Sequence, residues 1–251
     1  MKIKQIILTA LLICCASLAI AQDAKEIIQK MQDQQRGQSS YSNITMKVVR
    51  PTWSRTMEMK SWSMGGDEYF LVLITSPAKD KGSSSLKRKK EMWSWTPSIQ
   101  RTIKISPSMM SQSWMGSDFT NDDLMRGSSV VEDYEHQLKG KEVVNGQECF
   151  KIEMIPHEEA AVVWGKVLMW VTTDGLCNQM RVENYDEDMY LVNTLNGYDI
   201  KNLGGRQIPS RQEMVPAEEE GKKTVMILNE AEFNQKISEK FFTQQNMKRV
   251  R

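Results

Sequence analysis

The 251-residue chain carries 33 Lys and Arg against 32 Asp and Glu, a net charge of +1, with 40% hydrophobic residues and a mean hydropathy of −0.50. That balance lacks the excess of positive charge a nucleic-acid partner selects. Beyond the first 21 residues, no apolar run approaches the roughly 20 residues of a membrane-spanning helix.

Lys2 and Lys4 begin the chain, a mostly apolar run follows from Ile6 to Ile20, and Ala19 and Ala21 stand at the −3 and −1 positions of a small-residue cleavage site. This pattern predicts a cleavable secretory signal peptide over 1–21, of bacterial type and directed to the periplasm. A lipid-anchored form is disfavoured, because Cys14 and Cys15 lie inside the apolar run behind "LLI". Cleavage leaves one domain, 22–251, of 230 residues and net charge −1. Two cysteines remain, Cys149 and Cys177. The strand pattern sets them two strands apart, roughly 9–10 Å. That is beyond disulfide reach, so two free, buried thiols are favoured over a bridge.

Asp23 with Glu26 has capping-box spacing, Ala24, Ile27, Ile28 and Met31 recur at helical spacing, and Gly37 is a stop signal. One amphipathic helix is expected there. Period-2 or continuous apolar runs then predict strands at 43–50, 56–64, 68–75, 85–95 and 100–105. A run of hairpins follows at 136–144, 147–155, 162–172, 176–186, 189–201, 208–216 and 223–233. Asn145-Gly146 and Asp174-Gly175 supply the strongest turn signals. About ten to eleven of these runs are expected as the strands of an antiparallel meander, too many for a small barrel filled by side chains alone.

The stretch 106–130 breaks the pattern. It has no alternation, and Met109, Met110, Met115 and Met125 cluster in it with Trp114 and Phe119. Loops are usually polar, so an apolar insert either plugs the sheet or covers a pocket. Composition leaves both open. Its aspartates, Asp118, Asp122 and Asp123, do not fit a calcium loop, since the glycine and glutamate positions of that motif fall on Asp123 and Ser129. Thr120 with Asp123 three residues on is better read as a capping box.

Signs of catalysis are absent from the residues. The two histidines, His136 and His157, have no second metal ligand at a familiar spacing and read as solvated strand-end or loop residues. Neither a nucleophile elbow, a phosphate loop nor CxxC occurs. The chain is read as a non-enzyme without cofactor or metal. Its soft apolar content stands out instead: 17 methionines after the leader and seven tryptophans, against six phenylalanines. Methionine suits adaptable apolar surfaces. Trp93 and Trp95 share one strand face. Trp164 and Trp170, six apart, are expected to share another with Val162 and Leu168. "LKRKKE" (86–91) reads as a charged, protected strand edge.

"EMWSWTPSIQRTIKI" followed by "MMSQSWMGSDFTNDDL" resembles the LolA-like outer-membrane lipoprotein-sorting proteins, in the branch with a long mature chain. The resemblance rests on Trp-x-Trp-x-Pro at 93–97, Arg101, Gly-Ser-Asp-Phe-Thr at 116–120 and Asp123-Leu124. The strand, proline, loop and strand unit of 70–95 is similar too, and "MRVENYD" and "QIPSRQEM" follow in order. It extends over roughly 22–245. It implies a half-open antiparallel β-barrel wrapped over a few helices, with an apolar cavity for lipid acyl chains. Under it, Trp93, Trp95, Met109, Met110, Trp114, Met115, Phe119, Leu124 and Trp170 are candidates for cavity and lid. Arg101 is the candidate head-group or lid contact. It also implies a carrier of lipid or lipoprotein acyl chains, with an inner-membrane transporter as donor and an outer-membrane acceptor. The alternative is a non-enzymatic accessory subunit that docks on an envelope transporter without shuttling cargo.

Overall fold

The computed structural model describes residues 24–66, 68–125, 129–160 and 162–251. The expected signal peptide and Asp23 lie outside these residues. Helix α1 spans 24–36. Gly37 stops it as expected: its φ is +61°, and its N–H donates to the Asp33 carbonyl at 2.9 Å. A Cβ at this position would stand 2.7 Å from Asn234 Oδ1, so both the left-handed turn and the close approach require glycine.

Thirteen strands form one antiparallel sheet. In chain order they are β1 (Ser39–Arg50), β2 (Trp53–Met64), β3 (Tyr69–Ser76), β4 (Ser84–Arg88), β5 (Glu91–Thr96) and β6 (Arg101–Lys104). The second series is β7 (Tyr134–Val144), β8 (Gln147–Pro156), β9 (Lys166–Thr172), β10 (Gln179–Tyr185), β11 (Leu191–Leu203), β12 (Arg206–Pro216) and β13 (Lys223–Phe233). The spatial order runs β6-β5-β4-β3-β2-β1-β13-β12-β11-β10-β9-β8-β7. Each series is therefore a meander, the first and last strands pair at the centre, and β6 and β7 are the two edges. The sheet is not closed.

The expected strand 85–95 is two strands. Lys89, at φ +56°, turns the chain between β4 and β5 without glycine, proline or asparagine to announce it. This hairpin accounts for part of the excess over the expected strand count. The insert of 105–133 runs from one sheet edge to the other. It holds α2 (Asn121–Met125) and α3 (Ser129–Glu132).

Both faces of the sheet are covered. On the inner face, Ala24, Ile28 and Met31 of α1 pack on Ile152, Met154, Val167 and Met169. The insert lays Trp114 on Met46, Val48, Met57 and Met59. On the outer face, the C-terminal segment 234–251, with α4 (Gln244–Met247), seats Phe242 and Met247 on Leu71, Leu73, Leu86 and Trp93. Arg206 of β12 donates to the Asp33 and Gln34 carbonyls at 2.5 and 2.7 Å, satisfying the end of α1 and complementing its dipole. Among the described residues no helix is long and apolar enough to cross a membrane.

Cys149 and Cys177 are free and buried. They belong to clusters on opposite faces of the sheet, Cys149 with Trp170 and Cys177 with α1. Burial pushes the Cys149 thiol up to about 11.

Candidate functional site

The insert is fastened at two points. Arg50, ending β1, grips Asp118 with two nitrogens at 2.9 and 3.0 Å, and the Thr224 hydroxyl of β13 donates to the same carboxylate at 2.6 Å. The side chains of Arg50 and Asp118 are only 13% and 7% exposed. Arg50 also donates to the Gly116 carbonyl at 3.1 Å, and Arg55 donates to the Met115 carbonyl. The insert thus crosses the sheet face held at its middle by the strands nearest the central seam.

The capping box forms as expected. Thr120 Oγ1 accepts from the Asp123 N–H at 3.0 Å, and Asp123 Oδ2 accepts from the Thr120 N–H at 2.7 Å. Trp164 Nε1 donates to the other carboxylate oxygen at 3.2 Å. Burial holds the Asp123 carboxyl above its usual range, against hydrogen bonds from Thr120 and Trp164 to the carboxylate that favour ionisation. Asp118 and Asp123 therefore position chain. Among the described residues no group of three His, Cys, Asp or Glu could hold a metal ion.

Between α1, the insert and the inner faces of β1–β3 and β9–β13 lies a pocket of about 360 Å³, toward the small end of ligand sites. Its walls are mostly apolar: Phe119 and Leu124 of the insert face Val182, Leu195, Met214 and Leu228 across it. Polar groups line it too: Ser40, Ser42, Ser61 and Ser63 on the strands, Gln32, Gln35 and Arg36 on α1, and Asp122 and Asp123 on α2. Burial lowers the Arg36 guanidinium to about 10, which leaves it charged at neutral pH. The pocket pairs a mostly apolar wall with serine hydroxyls, one guanidinium and two carboxyls.

The expected site residues divide between places. Phe119 and Leu124 line this pocket. Met110 packs on Met92 under the insert, and Trp114, with Met115 against it, plugs the inner face of β1–β3. Met109 is half-buried, and its carbonyl accepts from Asn121 Nδ2 at 2.9 Å. Trp93, Trp95 and Trp170 do not reach the inner pocket. Trp93 and Trp95 face outward under the C-terminal segment, and Trp170 is in the outer-face cluster with Cys149 and Met180. Trp170 lies near Lys151 and Arg181, and its Nε1 donates to Glu142 at 2.8 Å. Trp164 and Trp170 do not share a face, because Trp164 precedes β9 and the strand alternation has not begun there. Arg101 is exposed on the edge strand β6, away from the pocket wall.

His136 corrects another expectation. It is 7% exposed, and its Nε2 lies 2.7 Å from the Val130 carbonyl. Burial lowers its pKa, so the neutral ring is favoured. His157 is exposed. Arg36 and the serine rows were missed as site residues. Their available signal was the polar flank Gln32, Gln35, Arg36 beside the helix's apolar stripe, and the serines alternating with outward residues in β1 and β2.

A family model with the description "-like: Uncharacterized protein" matches residues 66–249. No curated protein matches this chain in sequence. Three crystal structures share the fold at 24% identity each. A DUF1329 family protein from Desulfovibrio piger has a TM-score of 0.82 over 91% of this chain and 99% of its own. A domain described as an outer membrane lipoprotein-sorting protein from Vibrio parahaemolyticus has a TM-score of 0.80 over 91% and 99%. A LolA superfamily protein from Nitrosomonas europaea has a TM-score of 0.75 over 88% and 98%.

Proposed function

We propose that this chain, which belongs to the family matched over residues 66–249 and has the fold of the LolA superfamily, is a periplasmic carrier that shields lipid or lipoprotein acyl chains in its inner pocket. The observation that carries the reading is the pocket itself: apolar walls under a fastened insert, with serine hydroxyls and the Arg36 guanidinium in the lining. An acyl chain lies against Phe119, Leu124, Val182, Leu195, Met214 and Leu228, and an anionic head group meets Arg36 and the serines. Arg36 takes the role expected of Arg101. An inner-membrane transporter is the donor and an outer-membrane site the acceptor. No bond is made or broken.

Each buried methylene contributes about 0.8 kcal/mol gross, and ordering costs leave net affinity well below that sum. A small open pocket is consistent with cargo that must be released. Native mass spectrometry of protein purified from periplasm without detergent tests the reading. A retained lipid-sized mass is expected, reduced in Leu195→Trp, which fills the pocket. If the protein is empty and takes up no added fatty acid or phospholipid, the carrier reading is abandoned.

One observation favours the second reading, an accessory subunit that docks on an envelope transporter without cargo. Trp114 plugs the β1–β3 half of the inner face, so only part of the expected cavity is open. An empty protein that co-purifies with a membrane transporter would support this reading.

A further inference from the structure

The charges are divided between the two arms of the sheet. Residues 39–104, which hold β1–β6, carry twelve Lys and Arg against five Asp and Glu, and segment 234–251, packed on their outer face, adds five against one. Residues 105–233 carry eleven against 23. A near-neutral chain is therefore strongly dipolar, net positive on one arm and net negative on the other.

The basic arm has an outer groove of about 750 Å³ between β1–β3, the loop after β3 and the C-terminal segment. Lys60, Lys81, Lys248 and Arg251 line it, with Glu58 its one acidic side chain. None of the four cations has a carboxylate at ion-pair distance among the described residues. Lys248 Nζ lies 5.0 Å from the Trp95 ring centroid. At one end of this arm the turn after β5 presents Ile99, 63% exposed, whereas Trp53, the first residue of β2, lies with Arg50 on the inner side of the sheet. The loop between β3 and β4, with exposed Lys79 and Lys81, emerges at the same end.

We infer that the outer face of the β1–β6 arm docks on a bilayer leaflet that carries anionic phospholipid. Three observations select this occupant. The groove is net positive, four cations against one acidic side chain, and those cations make no ion pair among the described residues. Eleven of the arm's seventeen cations are lysines, which protein interfaces disfavour relative to arginine, whereas lysine serves well against a diffuse anionic surface. Exposed Ile99 stands at the same end of the arm as Lys79 and Lys81, an apolar tip with cations that can seat a protein at a membrane interface. The acidic arm then faces away from the leaflet. This inference rests on the outer face and is independent of what the inner pocket holds.

Sedimentation with vesicles tests it. The purified protein should bind vesicles of phosphatidylcholine mixed with phosphatidylglycerol, not phosphatidylcholine alone, and binding should weaken as salt rises. Lys60→Glu with Lys81→Glu and Lys248→Glu should reduce partitioning by roughly tenfold or more. Lys139→Glu with Lys201→Glu and Lys222→Glu, on the acidic arm, should not. Far-ultraviolet circular dichroism checks that both variants fold, and the salt series on the unaltered protein decides the matter if they do not. Equal binding to neutral vesicles, or unchanged binding by the first variant, overturns the inference. Failure of the unaltered protein to bind anionic vesicles at low salt also overturns it and leaves an acidic protein surface as the occupant. Loss of cargo binding in the pocket with vesicle binding intact would sink the carrier and spare this surface.

Discussion

At the scale of single residues, the Arg50–Asp118 pair decides whether the insert stays on the sheet. Two groups this buried have already lost most of their hydration, so removing one strands the other. Arg50→Leu is expected to cost about 3–5 kcal/mol, measured by urea unfolding, with earlier proteolytic cutting in 105–133. The Arg50→Leu, Asp118→Leu double variant should recover part of that loss. His136 sets a pH dependence of definite sign. Its folded pKa lies below the ordinary histidine value, so the folded state binds fewer protons than the unfolded one. The stability it supports is present above about pH 6.5 and is lost as pH falls through the lowered value. Thermal melts between neutral and mildly acid pH should show this loss, and His136→Gln should flatten it. The sequence made one residue-scale feature plain: Thr120 and Asp123 cap α2 because three-residue spacing alone brings their groups together. It did not reveal that His136 is buried, since burial there depends on Val130, whose approach is fixed by tertiary packing.

At the scale of elements, alternation tells which residues share a face but not which face that is. Trp93 and Trp95 do share one, as their spacing requires. Yet the sheet is covered on both sides, by α1 and the insert within and by the C-terminal segment without, so apolar residues on either face look alike in sequence. This is why the strands were mostly legible and the site only partly so. It is also testable. Trp170→Ala should destabilise by about 3–5 kcal/mol in urea unfolding, while the folded protein keeps its acyl-chain affinity. Leu195→Trp should do the reverse, lowering affinity by tenfold or more with a smaller loss of stability, about 1–3 kcal/mol. If Trp170→Ala removed binding and Leu195→Trp did not, the ligand would lie on the outer face. The missed turn at Lys89 has a similarly local cause. A left-handed lysine between two charged strand ends gives no compositional break, so two strands read as one.

For the whole molecule, the notable feature is where the two meanders join. Asn43 and Glu230, 187 residues apart, meet across the seam of β1 and β13. Within each arm every strand pairs with its chain neighbour, so each arm can assemble from local contacts, while the seam has to wait for a long loop to close. Substitutions that weaken the seam, such as Val48→Ala, should therefore speed unfolding more than they slow refolding, as stopped-flow chevrons would reveal. Read from β7 through β13 and on through β1 to β6, the sheet is one uninterrupted up-and-down ribbon that the natural chain enters at its middle. A circular permutant with its ends joined and new termini opened in 105–133 would make that ribbon continuous. It would turn the slow central pairing into an ordinary neighbouring one, and it would leave the strap over the pocket cut. Such a molecule separates two jobs that the natural connectivity gives to one segment: linking the edges, and covering what lies between them.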